Sequence, residues 1–106
     1  MKLLTKEIKN KMYKNMETEE LELSPSEIKV PLKLFTPFSN WTWYGYELMD
    51  EIDNWVYGYV VGFECENGPF SLNELRSYIK FGMPMVERDK HWNPNTTLQQ
   101  VYDLTK

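Results

Sequence analysis

Three features of the sequence predict an α+β fold: a small antiparallel meander sheet of three to four strands, a helix packed on one face, and terminal helices. Two consecutive runs rich in aromatic and β-branched residues, Trp41 to Leu48 and Asn54 to Glu64, are separated by the polar gap MDEID, which has hairpin length. The S-x-x-E pattern of Ser71 and Glu74 then opens an apolar stripe of Leu72, Leu75 and Ile79 at helical spacing. Finally, 106 residues, 42% of them hydrophobic and 15% aromatic, suffice for one modest core and are too few for two. A single domain over residues 1–106 is expected.

Each element has a local reason. Thr5 caps a helix over about residues 5–15, in which Leu4, Ile8 and Met12 recur at four-residue spacing. Residues 16–27 lack a period and end in Ser24-Pro25-Ser26, as a surface linker does. From Ile28 to Phe35, the apolar Ile28, Val30, Leu32 and Leu34 alternate with Lys29, Pro31, Lys33 and Phe35, which predicts a half-buried strand. Pro31 offers no N–H to a ladder, so this strand is expected at an edge or with a bulge. Pro37 and Asn40 turn the chain into the first aromatic strand.

Strict alternation puts Trp41, Trp43 and Glu47 on one face of that strand and Thr42, Tyr44, Tyr46 and Leu48 on the other. In the next strand it assigns Trp55, Tyr57, Tyr59 and Phe63 to the core, with Val56, Gly58, Val60 and Gly62 opposite. The glycines let another element, most simply a helix, approach closely, or relieve a bulge. The helix opened by Ser71 is expected to stop at Gly82, and a short strand to follow near Met85 to Arg88. Sheet and helix together form a core over about residues 28–90. Thr97 and Gln100 cap a last helix over about residues 97–104, carrying Leu98, Val101 and Leu104.

Charge and composition exclude several functions. Sixteen acidic against twelve basic residues give a net charge of -4, so no long-range field draws in a phosphate backbone. The aromatic strands invite a comparison with base-stacking platforms, which interleave rings with cations. Between Trp41 and Phe70, however, there is no Lys or Arg, while Glu47, Asp50, Glu51, Asp53, Glu64 and Glu66 all fall there. Direct nucleic-acid binding is therefore not expected. Cys65 and His91 are the sole cysteine and histidine, which removes an intrachain disulfide and a zinc site of ordinary ligation. Both lack the context of a nucleophile and base. No metal or cofactor is expected. No apolar run approaches the roughly 20 residues of a membrane span, and the N-terminus lacks a signal-peptide core. A cytoplasmic protein without a membrane partner is the expectation.

The segments FTPFSNWTWYGYE, GFECENGPFSLNEL and MPMVERD, in this order and following the opening MKLLTKEI, carry a resemblance over most of the chain. They resemble the bacterial domain of unknown function numbered twenty-nine fifty-eight. The family pattern falls here on Phe35-Thr36-Pro37, Trp41 to Tyr44, Gly62-Phe63-Glu64, Phe70 to Leu75 and Glu87-Arg88-Asp89. This sequence departs from it after Asp89, where Lys90-His91-Trp92 replaces an apolar, aromatic segment. The resemblance brings no catalytic residues and implies a small accessory protein of plasmids, phages or integrated elements.

From these readings the expected function is a non-enzymatic, protein-binding inhibitor of a host defence system such as a CRISPR effector nuclease, anti-CRISPR-like in kind. The partner-binding candidates are Trp43, Tyr44, Tyr46, Glu47, Asp50, Glu51 and Asp53, aromatic anchors on an acidic hairpin suited to the basic groove of a nucleic-acid-binding effector. A second candidate group, Glu64, Glu87, Arg88 and Asp89, is a structural or ligand-binding polar cluster. With Glu47 it supplies the alternative, a small-molecule or metal-dependent enzyme. An accessory role in element maintenance is the third reading.

Overall fold

Thr5 starts the first helix as its side chain dictates: extended at φ -106°, it accepts the Ile8 amide on its hydroxyl at 3.2 Å. A computed structural model describes residues 2–18, 22–52 and 54–106, so Glu19 and Glu20 of the linker and the candidate Asp53 lie outside the described residues. In chain order the elements are α1 (Lys6–Glu17), β1 (Leu32–Phe35), β2 (Thr42–Asp50), β3 (Trp55–Val61), β4 (Cys65–Ser71), α2 (Leu72–Ser77), β5 (Ile79–Lys80), β6 (Met83–Pro84), β7 (Glu87–Arg88) and α3 (Leu98–Leu104).

The fold is α+β, with β1 to β4 forming the expected antiparallel meander. Among the described residues the sheet has five strands, in the order β4-β3-β2-β1-β7, because the returning chain pairs Arg88 with Leu34 and Glu87 with Phe35. The sheet divides the apolar residues into clusters on its two faces. On one, Leu32, Leu34, Trp43, Leu48, Val56 and Phe70 pack against Met12 of α1 and Leu72 and Leu75 of α2. On the other, Val30, Tyr44 and Tyr46 pack against Leu98 and Val101 of α3, with Tyr57, Tyr59, Trp92 and Tyr102 at the margin. The result is three layers, helix on sheet on helix.

Strict alternation fails at two places, and each has a structural cause. In β2 the pairing with β3 shifts between Gly45 and Glu47 and again between Leu48 and Asp50. An extra residue reverses the side-chain parity beyond it, so Leu48 joins the Trp43 face instead of the Tyr44 face. Asn15 of α1 fixes this bulge by donating its amide to the Tyr46 and Lys29 carbonyls at 2.7 and 2.8 Å. The bulge accounts for one glycine: a Cβ on Gly58 would lie 2.0 Å from the Tyr44 carbonyl oxygen. At Gly62 the close neighbour is the Trp41 ring, not a helix.

The second break is at Pro31. Val30 belongs to the α3 side, whereas Leu32 and Leu34 belong to the α1 side. β1 is not an edge strand, since it lies between β2 and β7. Pro31 is tolerated there because it precedes the strand and β7 reaches only Leu34 and Phe35.

β3 corrects the assigned core. Tyr57 and Tyr59 are partly buried beside α3, but Trp55 is 39% and Phe63 95% exposed, while Val56 is fully buried. Trp55 opens β3 and Phe63 lies just beyond its end; Trp55 lines an open groove with Trp43 and Phe70, and Phe63 meets the Trp41 ring edge-on. Leu104, at the end of α3, is itself exposed.

The helix opened by Ser71 is also shorter than its stripe implies. Ser71 accepts the Glu74 amide at 3.1 Å, but α2 stops at Ser77 and Tyr78 is already extended. Ile79 is exposed in β5, and residues 79–84 form a two-stranded hairpin with Phe81 and Gly82 at its turn. Both turn residues have positive φ, 54° and 77°, as a two-residue hairpin with the matching twist requires. Gly82 therefore makes a hairpin turn and does not terminate a helix. At the C-terminus, Thr97 and Gln100 complete a capping box on α3, and Leu98 N–H bonds the Ile28 carbonyl at 2.8 Å.

Candidate functional site

The aromatic partner-binding candidates lie in the interior. Trp43, Tyr44 and Tyr46 are each at most 8% exposed, so none of them projects as an anchor, although Trp43 borders an open groove. The alternating pattern places them on a sheet face, and only the presence of helices on both faces decides that both sets are covered. Tyr46 donates its hydroxyl to Asn67 Oδ1 at 3.0 Å, and Asn67 donates in turn to the Tyr102 hydroxyl at 2.9 Å. Burial, followed by the neighbouring Tyr57, Tyr102 and Glu47, raises the Tyr46 phenol well above the usual tyrosine range.

The acidic members are only partly a free surface. Glu47 and Asp50 are half-buried on β2, and Asp53 lies outside the described residues. Glu51 is exposed but accepts from Tyr13 at 2.7 Å and from Lys9 at 3.2 Å, which fastens the β2–β3 hairpin tip to α1. The Tyr13 hydrogen bond, then Lys9, holds the Glu51 carboxyl below its ordinary value.

The second candidate group does not assemble. Residues Glu87, Phe35, Thr42, Val61 and Cys65 form one row across all five strands. Glu64, beside Cys65, is thus about four strand spacings, roughly 19 Å, from Glu87. Glu47 lies further along β2, opposite Tyr57. Within the remaining trio, Asp89 pairs with Lys33 at 3.6 Å and Arg88 Nε donates to the Lys2 carbonyl at 2.9 Å. Cys65 and His91 are kept apart by the same row, one on β4 and the other just after β7. Among the described residues, no group of three or more His, Cys, Asp or Glu side chains is arranged to hold a metal ion.

What the structure does build is an open groove of about 540 Å³ on the α2 side of the molecule. Its rings come from Trp41, Trp43, Trp55, Phe70 and Tyr78, with Leu75, Met85 and Val86 between them and Thr36, Ser39, Ser71 and Glu74 as polar lining. Trp41 reaches it because Gly62 leaves room for its ring, which stacks on Trp43 at 6.0 Å and meets Phe63 edge-on at 5.4 Å. Tyr78 is held by its hydroxyl on Glu74 Oε1 at 2.9 Å.

Beside the groove stands the β5–β6 hairpin. Its base is closed by the Met85 amide on the Tyr78 carbonyl at 2.8 Å. Its side chains face outward: Ile79 is 62%, Phe81 92% and Met83 56% exposed. Sequence reasoning missed this hairpin because Ile79 also fits a helical stripe. The signal available was the Phe-Gly pair set between YIK and MPM, a two-residue turn between short apolar runs.

Fold and surface together define a small three-layer α+β protein with an open aromatic groove and a projecting apolar hairpin. The chain belongs to the family described as protein of unknown function (DUF2958), whose model matches residues 3–106. No curated protein and no solved structure matches it. Among the described residues, no helix is long and apolar enough to cross a membrane.

Proposed function

We propose that this protein is a non-enzymatic, cytoplasmic binding module whose contact surface for a protein partner is the β5–β6 hairpin with the adjoining groove. The observation that carries the reading is Phe81, 92% exposed at a φ of 54°. A bulky residue in the left-handed region costs on the order of 1–3 kcal/mol, and its ring gains nothing from burial in the isolated chain. Both costs are offset when the ring enters a partner. Apolar side chains clustered beside a groove are the ordinary mark of a protein contact surface.

The particular role we propose is that of a phage or mobile-element accessory protein that inhibits a host defence nuclease, in the manner of an anti-CRISPR. Family context and the acidic net charge motivate it, and it requires no cofactor. The anchors in this account are Phe81, Ile79, Met83 and the groove, in place of the buried Tyr44 and Tyr46; Trp43 remains only as part of the groove wall.

The test is affinity purification from host lysate with wild type and Phe81→Asn in parallel, combined with phage plating under expression of each. The expected result is a defence nuclease retained by wild type and lost by the variant, with restored plating that follows the same pattern. Retention of a replication or partition protein with unchanged plating would favour element maintenance. Identical retention by both proteins would refute the contact surface.

A further inference from the structure

The aromatic groove does not end at Trp41. Thr36, Ser39 and Trp41 also line a second cleft of about 720 Å³, whose other walls carry Lys33, Arg88, Lys90 and His91 with Asp89. That cleft adjoins a third, of about 470 Å³, which shares Lys33, Arg88, Asp89 and Lys90 and adds Lys6 and Lys11 with Glu7. Five Lys and Arg side chains therefore face two carboxylates along this edge, in a chain whose net charge is -4. Positive charge is concentrated where the groove leads.

Part of this charge is held in place. Lys33 Nζ lies 3.6 Å from Asp89 and 5.3 Å from the Trp92 ring centroid, so its position is set before any ligand arrives. Lys90 and His91 are exposed at the cleft.

We propose that the groove and cleft together bind one extended protein segment of bipartite chemistry: a large apolar side chain in the groove and, within a few residues, Asp or Glu side chains in the cleft. The inference rests on the protein-binding reading above and adds the chemistry of the partner. Charge complementarity selects an acidic segment, and the ring-lined groove selects its anchor. The arrangement is unsuited to a nucleic-acid strand, in which phosphates recur between successive bases and cations must interleave with the rings. Here the groove that holds most of the rings carries Glu74 and no Lys or Arg, while the cations lie in the neighbouring clefts beside only Phe35, Trp41 and Trp92.

A displayed random-peptide library selected against the full chain tests the inference, with parallel selections against Lys90→Glu/His91→Glu. Both substituted side chains are exposed, so the fold is retained, which circular dichroism checks. The expected consensus couples a Trp, Phe or Leu to nearby Asp or Glu. Against the double variant the acidic preference disappears and the apolar one persists, and a selected peptide binds about tenfold more weakly. Binding of that peptide to wild type also weakens as salt is raised.

An apolar consensus without acidic bias, or an acidic bias unchanged by the double variant, overturns this inference and leaves the protein-binding reading standing. No enrichment over blank support counts against both. A fluorescein-labelled oligothymidine that binds more tightly than the selected peptides, and displaces them, overturns the inference in favour of single-stranded nucleic acid.

Discussion

Asn15 joins two layers with one amide group. Its two N–H donors meet the carbonyls of Lys29 and Tyr46, the second of them at the bulge that turns Leu48 inward. Truncation leaves a part-buried carbonyl without this partner, so Asn15→Ala is expected to cost about 1–3 kcal/mol in urea denaturation. Gly58→Ala acts on the same bulge from the neighbouring strand. The added methyl would meet the Tyr44 backbone, which cannot rotate away, and a loss of about 1–3 kcal/mol or more is expected from the same measurement.

Tyr46 gives the pH dependence. Burial first, and nearby charge second, keeps its phenol protonated above the ordinary value of 10.0, and Tyr44 and Tyr59 shift in the same direction. The unfolded chain ionises these groups near 10, while the folded chain does not. Their contribution is therefore complete below pH 10 and is lost as pH rises beyond it. Thermal melts between pH 9 and roughly pH 11.5 should show stability falling with pH, less steeply in Tyr46→Phe.

At the scale of elements, the legible parts are those whose signals act within a few residues. The hydroxyls of Thr5, Ser71 and Thr97 each reach an amide three positions on, which is why three helix starts can be read directly. The ends are set less locally. Leu72, Leu75 and Ile79 satisfy a helical period as well as a helix followed by a strand, and only the extended Tyr78 and the positive φ of Phe81 and Gly82 decide between them. Side-chain parity is equally hidden, because one extra residue in β2 and the break at Pro31 each exchange the faces.

The hairpin separates stability from function. Asn-Gly suits its two-residue turn better than Phe-Gly, so Phe81→Asn should leave stability in thermal melts unchanged or raise it by about 1 kcal/mol of relieved strain. Loss of partner retention in a variant that is equally or more stable would show that Phe81 serves a contact and not the fold.

For the whole molecule, the candidate site was illegible because its parts are distant in sequence. The groove takes residues from Thr36 to Val86, brought together only by the meander and the chain's return through β7. The reverse also holds: Glu64 and Glu87, which look like members of one group, are set at opposite sides of the sheet by strand order. Trp43, Tyr44 and Tyr46, offered by the sequence as partner anchors, instead help fill both faces of a single sheet.

The central claim, that the hairpin face is where the protein meets its partner, is tested most directly by photo-crosslinking in the host. A benzophenone-bearing phenylalanine is placed at position 81 in one protein and at position 104 in another, both exposed and on opposite sides of the sheet's helical layers. The account predicts one discrete protein adduct from position 81, absent from position 104. An adduct from position 104 alone, or indistinguishable adduct patterns from the two positions, would contradict it.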